Sequence, residues 1–135
     1  MLKLYIREPN SPDAVASVQR AGEPLIFTQL HRLEMLGAIR CNVTRGTITA
    51  ESAARAVKIL RHDLKMGVFE FPASDWHRVF DRALCLSRRY SRSQLARSLD
   101  LLHIACALEL EVPIFLSFDH RQRYAARAVG LNVLP

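Results

Sequence analysis

The stretch from Ser98 to Asp119 constrains the fold more than any other part of the chain. Its residues predict a largely apolar helix, a short turn and a buried strand. Two carboxylates bracket this segment, because Asp100 lies where the helix begins and Asp119 directly follows the strand. Acidic side chains are seldom buried without a partner. We therefore expect each carboxylate to cap a helix, to bind a ligand, or to do both.

The composition is that of an ordinary globular protein. A chain of 135 residues, of which 50% are hydrophobic and 24% charged, suits one domain that needs no disulfide or structural metal. The cysteines Cys41, Cys85 and Cys106 show no paired spacing, which predicts reduced thiols. We expect a cytoplasmic protein, because no apolar run is long enough to cross a bilayer and the N-terminus does not read as a signal peptide.

Short apolar strands alternate with amphipathic helices along the chain. Strands are expected at 24–27, at 68–71, just before Asp119 and at 131–134, and Thr28, Thr49 and Ser74 are the expected helix N-caps. A polar connection is expected at 41–47. This alternation predicts an α/β fold with a parallel sheet covered on both faces.

Three acids are candidates for one site. Ligands of such folds gather outside the carboxyl ends of the strands. Glu34 lies about two turns into the helix after one strand, Asp100 lies at a helix start and Asp119 directly follows another strand, so all three could face one site. Carboxylates brought together require a cation, and Mg²⁺ accepts such oxygen ligands while keeping several waters. Ser117 either offers a hydroxyl to orient a ligand or water, or it simply ends a strand. A histidine in the position of His103 more often packs in the core than takes part in a site.

The densest basic segment precedes Asp100. We predict a loop at 87–97 that carries Arg88, Arg89, Arg92 and Arg97 together with Tyr90. Its composition suits phosphate contacts with an aromatic ring available for stacking, and a merely solvated loop is the alternative. The net charge of +6 agrees with a polyanionic partner. With no glycine-rich phosphate loop, Gly-x-Ser-x-Gly elbow or His-Glu-x-x-His helix, the residues favour a metal-dependent phosphodiesterase.

Several segments together carry a family resemblance. They are Leu4-Tyr5-Ile6-Arg7-Glu8-Pro9, residues 28–34, residues 97–105, Phe115-Leu116-Ser117-Phe118-Asp119 and Gly130-Leu131. In this order the chain resembles, over essentially its whole length, a PIN domain of the VapC toxin type. The resemblance implies a three-layer α/β/α fold and a Mg²⁺- or Mn²⁺-dependent ribonuclease, the toxin half of a toxin–antitoxin pair. It further implies an RNA substrate, a cognate antitoxin and a homodimer.

The resemblance also assigns the acids. Glu34, Asp100 and Asp119 match the second, third and fourth metal-binding acids of the family, and Ser117 matches the hydroxyl position before the last one. The strand that normally opens the family, with its first acid, has no counterpart here, so the sequence resembles a single PIN-like domain truncated at its N-terminus. Either the start codon is placed too late or the protein is a degenerate form. Because the first metal-binding acid has no counterpart, the chain is expected to bind metal weakly.

Two other functions remain open at this point. One is a non-catalytic PIN-like module that binds RNA or an antitoxin peptide without cutting. The other is a different α/β hydrolase that acts on a small phosphate ester.

Overall fold

The protein is described by a computed structural model that covers residues 1–94 and 96–135, without the side chains at 91–94. It is a mixed α/β protein that is mostly helical, with 63% helix and 6% strand. The chain divides into two compact units, Met1–Pro72 and Ala73–Pro135. The predicted combination of helices with parallel strands is confirmed, although each strand is shorter than expected.

The first unit contains a short 3-10 helix, three α-helices and one pair of strands. In chain order its elements are the 3-10 helix (Leu2–Leu4), α1 (Ser11–Ala21), β1 (Leu25–Ile26), α2 (Gln29–Thr44), α3 (Ala50–Lys65) and β2 (Phe69–Glu70). The strands are parallel, with Leu25 opposite Phe69. Phe27, Met35, Leu60 and Phe69 form one of its core clusters. The ring centroids of Phe27 and Phe69 lie 5.1 Å apart, a favourable separation for an aromatic pair.

The helix starts of the first unit follow the sequence closely, and one helix end does not. Thr28 and Thr49 are N-caps as predicted, and the Thr49 hydroxyl accepts the Ser52 N–H at 3.1 Å. The connection predicted at 41–47 was placed too early, because α2 continues to Thr44. Val43 explains the extension, since it lies one turn after the buried Ile39 and packs against the same core cluster.

In its described residues, the second unit again combines three helices with one parallel pair of strands. Its elements are α4 (Trp76–Gln94), α5 (Ser98–Glu109), β3 (Phe115–Leu116), α6 (His120–Ala128) and β4 (Val133–Leu134). Phe115 lies opposite Val133. The core clusters of this unit include Ile104, Ala126 and Val133 in one and Val79, Ala105 and Cys106 in the other.

Two predictions for α4 were wrong. The residue before its first turn is Asp75 instead of Ser74, and the Asp75 Oδ1 atom accepts the N–H groups of His77 and Arg78 at 3.1 and 3.2 Å. The segment predicted as a loop from residue 87 is helical as far as Gln94. It contains no glycine or proline, and Leu86 and the buried Tyr90 continue the helical spacing of the buried Val79 and Ala83.

Candidate active site

Asp100 lies in the first turn of α5. Backbone N–H groups at this end of a helix lack intrahelical acceptors, and the helix dipole favours a negative charge. The Asp100 Oδ2 atom accepts a hydrogen bond from the backbone N–H of Arg97, the N-cap residue, at 3.0 Å. The side chain is half-buried. Asp100 thus has the capping role that was one of its two expected roles.

Asp119 starts α6 in a similar way. Its Oδ1 atom accepts the backbone N–H groups of Arg121 and Gln122 at 2.8 and 3.2 Å. The residue is the N-cap of the helix and is exposed. It lies three residues after Leu116, the last residue of strand β3, so the carboxylate lies near the carboxyl end of a parallel strand, as the sequence predicted.

Ser117 holds the turn between β3 and α6. It is buried, and its backbone N–H donates to the Leu134 carbonyl at 3.2 Å, which continues the pairing of β3 with β4. Its hydroxyl accepts the Asp119 N–H at 3.1 Å and donates to Gln122 Oε1 at 2.5 Å. Ser117 therefore fixes the backbone that carries Asp119.

Gln122 is a site residue that sequence reasoning missed. An acid at the N-cap followed three residues later by glutamine is a variant of the capping-box pattern, and Asp119 and Gln122 have this spacing. In the structure the glutamine side chain bonds to the Ser117 hydroxyl, which in turn bonds to the Asp119 N–H. The spacing was the signal that could have identified Gln122.

The two capping carboxylates remain chemically suited to a hard cation. The hydrogen bonds of the caps use Oδ2 of Asp100 and Oδ1 of Asp119. An ionised carboxylate has two oxygens with about four acceptor sites, so a cap does not exclude a metal ligand. Among the described residues, neither unit holds a group of three or more His, Cys, Asp or Glu side chains arranged for a metal ion. Mg²⁺ commonly uses one or two carboxylates and completes its shell with water and substrate phosphate.

Glu34 lies in α2 of the first unit and is half-buried. Burial lowers the pKa of the Met1 α-amino group, and the negative charges of Glu34 and Glu8 oppose that shift. Glu34 therefore has an electrostatic partner within its own unit. Asp100, Ser117 and Asp119 all belong to the second unit, where Ser117 and Asp119 are in direct contact.

In the predicted basic segment, the exposure of the side chains agrees with the prediction for the described arginines but not for Tyr90. Arg88, Arg89 and Arg97 are exposed, and the Arg92 side chain lies outside the described residues. The prediction that Tyr90 offers its ring for stacking was wrong, because Tyr90 is only 7% exposed. Its hydroxyl donates to the Ala128 carbonyl at 3.3 Å, and the Arg89 guanidinium lies 5.4 Å from its ring centroid. Tyr90 is thus a packing residue that joins α4 to α6.

His103, one turn after Asp100 on α5, is half-buried.

Comparisons with protein-family models, curated proteins and solved structures find no match. None of the helices in the described part of the chain combines the length and apolar character needed to span a membrane.

Proposed function

We propose that this protein is a metal-dependent endoribonuclease of the PIN type and the toxin component of a toxin–antitoxin pair. The proposal includes the three-layer α/β/α arrangement, a cognate antitoxin and a homodimer. The observation that carries it is the position of Asp100 and Asp119. Backbone N–H groups hold both carboxylates at the N-terminal ends of helices in one unit, one of them in the short turn that follows a parallel strand.

In the proposed site Asp100 and Asp119 hold Mg²⁺ or Mn²⁺. The ion, when bound, supplies an activated water and neutralises charge on the scissile phosphate. Ser117 and Gln122 keep the turn before α6 in one conformation and thereby orient Asp119. The metal-binding role of Glu34, which belongs to the first unit, stays a prediction from the sequence. The exposed Arg88, Arg89 and Arg97, and Arg92 by its sequence position, add positive charge for the RNA backbone.

A specific observation supports a second candidate, a module that binds RNA or an antitoxin without cutting. Both Asp100 and Asp119 already have structural roles as helix caps. A cap explains an acid at a helix start without any metal.

Asparagine substitutions separate these two functions. Asparagine keeps a side-chain oxygen that can accept the same backbone N–H groups, and at the N-cap it serves about as well as aspartate, but it is a much poorer ligand for a hard cation. We expect Asp100→Asn and Asp119→Asn to fold with little loss of stability and to lose at least about 100-fold in cleavage, since even partners outside the ligand shell are worth about 10–100-fold. The assay follows cleavage of a labelled single-stranded RNA with Mg²⁺, Mn²⁺ or EDTA, and Glu34→Gln is tested beside them.

Asp75→Asn is the matched control, because Asp75 caps α4 with nearly the same hydrogen bonds as Asp119 caps α6. Cleavage by this variant should equal that of the wild type. Metal-independent cleavage, or equal activity of all the asparagine variants, would exclude the proposed site. A wild-type chain that binds RNA without cutting it would favour the non-catalytic module.

A further inference from the structure

The outward face of α6 is a strongly basic surface that the function described above does not use. We call it the α6 basic face and define it by His120, Arg121, Arg123, Tyr124 and Arg127. The helix has the sequence HRQRYAARA and contains no acidic residue. Within the described residues, none of its three arginines pairs with a carboxylate, and the Arg123 guanidinium instead contacts His120 Nδ1 at 2.9 Å.

Packing turns this face toward solvent. Ala125 and Ala126 are buried in α6, and both join the core cluster of the second unit. On the opposite side of the helix Arg121, Tyr124 and Arg127 are exposed and Arg123 is half-buried, and the exposed fraction of Tyr124 is 62%. Tyrosine usually buries much of its ring. Core packing therefore does not account for the tyrosine at position 124, which lies among cationic side chains.

The spacing surrounds the ring with positive charge. Arg121 lies three residues before Tyr124 and Arg127 three residues after it, and residues at this spacing are neighbours on a helix surface. An aromatic ring set among arginines combines the two elements that hold single-stranded nucleic acid, namely stacking on bases and attraction of phosphates. The arrangement is the one that Tyr90 was predicted to provide and does not.

We infer that the α6 basic face binds single-stranded RNA, with a base stacked on Tyr124 and phosphates held by Arg121, Arg123 and Arg127. The inference rests on the proposed ribonuclease function and adds the surface that positions its substrate. Asp119 caps the same helix, and Tyr124 lies five positions after it, about 7.5 Å along the helix axis.

Fluorescence anisotropy with a labelled single-stranded RNA of mixed sequence tests this inference. EDTA in the buffer prevents metal-dependent cleavage, so binding is measured alone. We expect Tyr124→Ala to weaken binding by about 5- to 100-fold without changing its salt dependence, since stacking carries no charge. Tyr124→Phe should bind as the wild type does. Arg127→Gln should lower the slope of log Kd against log salt by about 0.7, the value for one phosphate of a single strand.

Two controls make the result specific. Phe80→Ala removes another exposed ring of the same unit, 53% exposed on α4, and should leave RNA affinity unchanged. Arg88→Gln tests the α4 surface that the sequence predicted. Equal affinity of Tyr124→Ala and Phe80→Ala, or a loss confined to Arg88→Gln, would overturn the inference, as would a wild-type chain that does not bind RNA. Thermal unfolding confirms that each variant is folded.

Failure of this inference and failure of the proposed function give different results. RNA binding that depends on Tyr124, in a protein that cuts no RNA, supports the α6 basic face and excludes the ribonuclease. Cleavage that depends on Asp100 while Tyr124→Ala binds RNA normally supports the ribonuclease and excludes the α6 basic face.

Discussion

At the scale of single residues, Tyr5 links two distant parts of the first unit. Its hydroxyl donates to Asp63 Oδ2 at 2.8 Å, and burial, followed by this hydrogen bond, raises the pKa of the phenol above its usual value. Above pH about 10 the unfolded chain loses the phenolic proton while the folded chain retains it. The folded state then binds more protons, so this contribution to stability is complete below pH about 10 and decreases as the pH rises further.

We therefore expect Tyr5→Phe to have a free energy of unfolding about 1 kcal/mol lower than that of the wild type at neutral pH. As the pH rises above about 10, the variant should lose less stability than the wild type. Urea unfolding at pH 7 and pH 10.5 measures both effects. Tyr124→Phe, which removes an exposed hydroxyl, is the control and should change stability by less than about 0.5 kcal/mol. Parallel stability curves for wild type and Tyr5→Phe above pH 10 would contradict the assignment.

The sequence located site residues best where their structural role is local. Asp100 and Asp119 begin helices because a carboxylate within a few residues can accept backbone N–H groups, and this chemistry is visible in the sequence. The burial of Tyr90 was not visible, because it depends on contact with Ala128, far along the chain. The sequence contained the exposed Tyr124 as well, but only packing shows which of the two rings faces solvent.

At the scale of elements, Gly37 and Gly67 differ in backbone conformation, helical at Gly37 and left-handed at Gly67. Gly37 lies inside α2, whereas Gly67 follows α3 with φ +74°, and an added Cβ would meet no atom within 4 Å at either position. Steric clashes therefore do not determine how an alanine substitution at either position changes the stability. We expect Gly37→Ala to stabilise by about 0.5–1 kcal/mol and Gly67→Ala to destabilise by about 1–2 kcal/mol.

Chemical denaturation of the two glycine variants, followed by circular dichroism, measures these effects. A change of the same sign in both would show that contacts other than the local backbone conformation control these positions. The end of α4 was missed because residues 87–94 contain hydroxyl and basic side chains and so resemble a loop in composition, although the buried Tyr90 continues the helical spacing of Val79 and Ala83.

At the scale of the whole molecule, the four strand positions were predictable and their pairing was not. An apolar run next to a turn indicates a strand, but its partner lies far away, as with Leu25 and Phe69 or Phe115 and Val133. The division into two compact units likewise depends on long-range contacts. Each core cluster contains residues of one unit only, such as Phe27 and Leu60 in the first and Ile104 and Ala126 in the second.

The three cysteines allow the stability of the second unit to be measured in the intact protein. Cys41 and Cys85 are exposed, whereas Cys106 is buried in the second unit, where burial raises the pKa of its thiol. Since the thiolate is the reactive form, Ellman's reagent should modify Cys41 and Cys85 quickly and Cys106 only when the unit opens.

Ile104→Ala removes a side chain that is 1% exposed and should lower the free energy of unfolding by about 2–5 kcal/mol. Even the lower value increases Cys106 labelling about 30-fold, while the rates at Cys41 and Cys85 stay constant as internal controls. Equal labelling of all three thiols in the wild type would mean that α5 does not bury Cys106, and the core on which the positions of Asp100 and Asp119 depend would then be wrong.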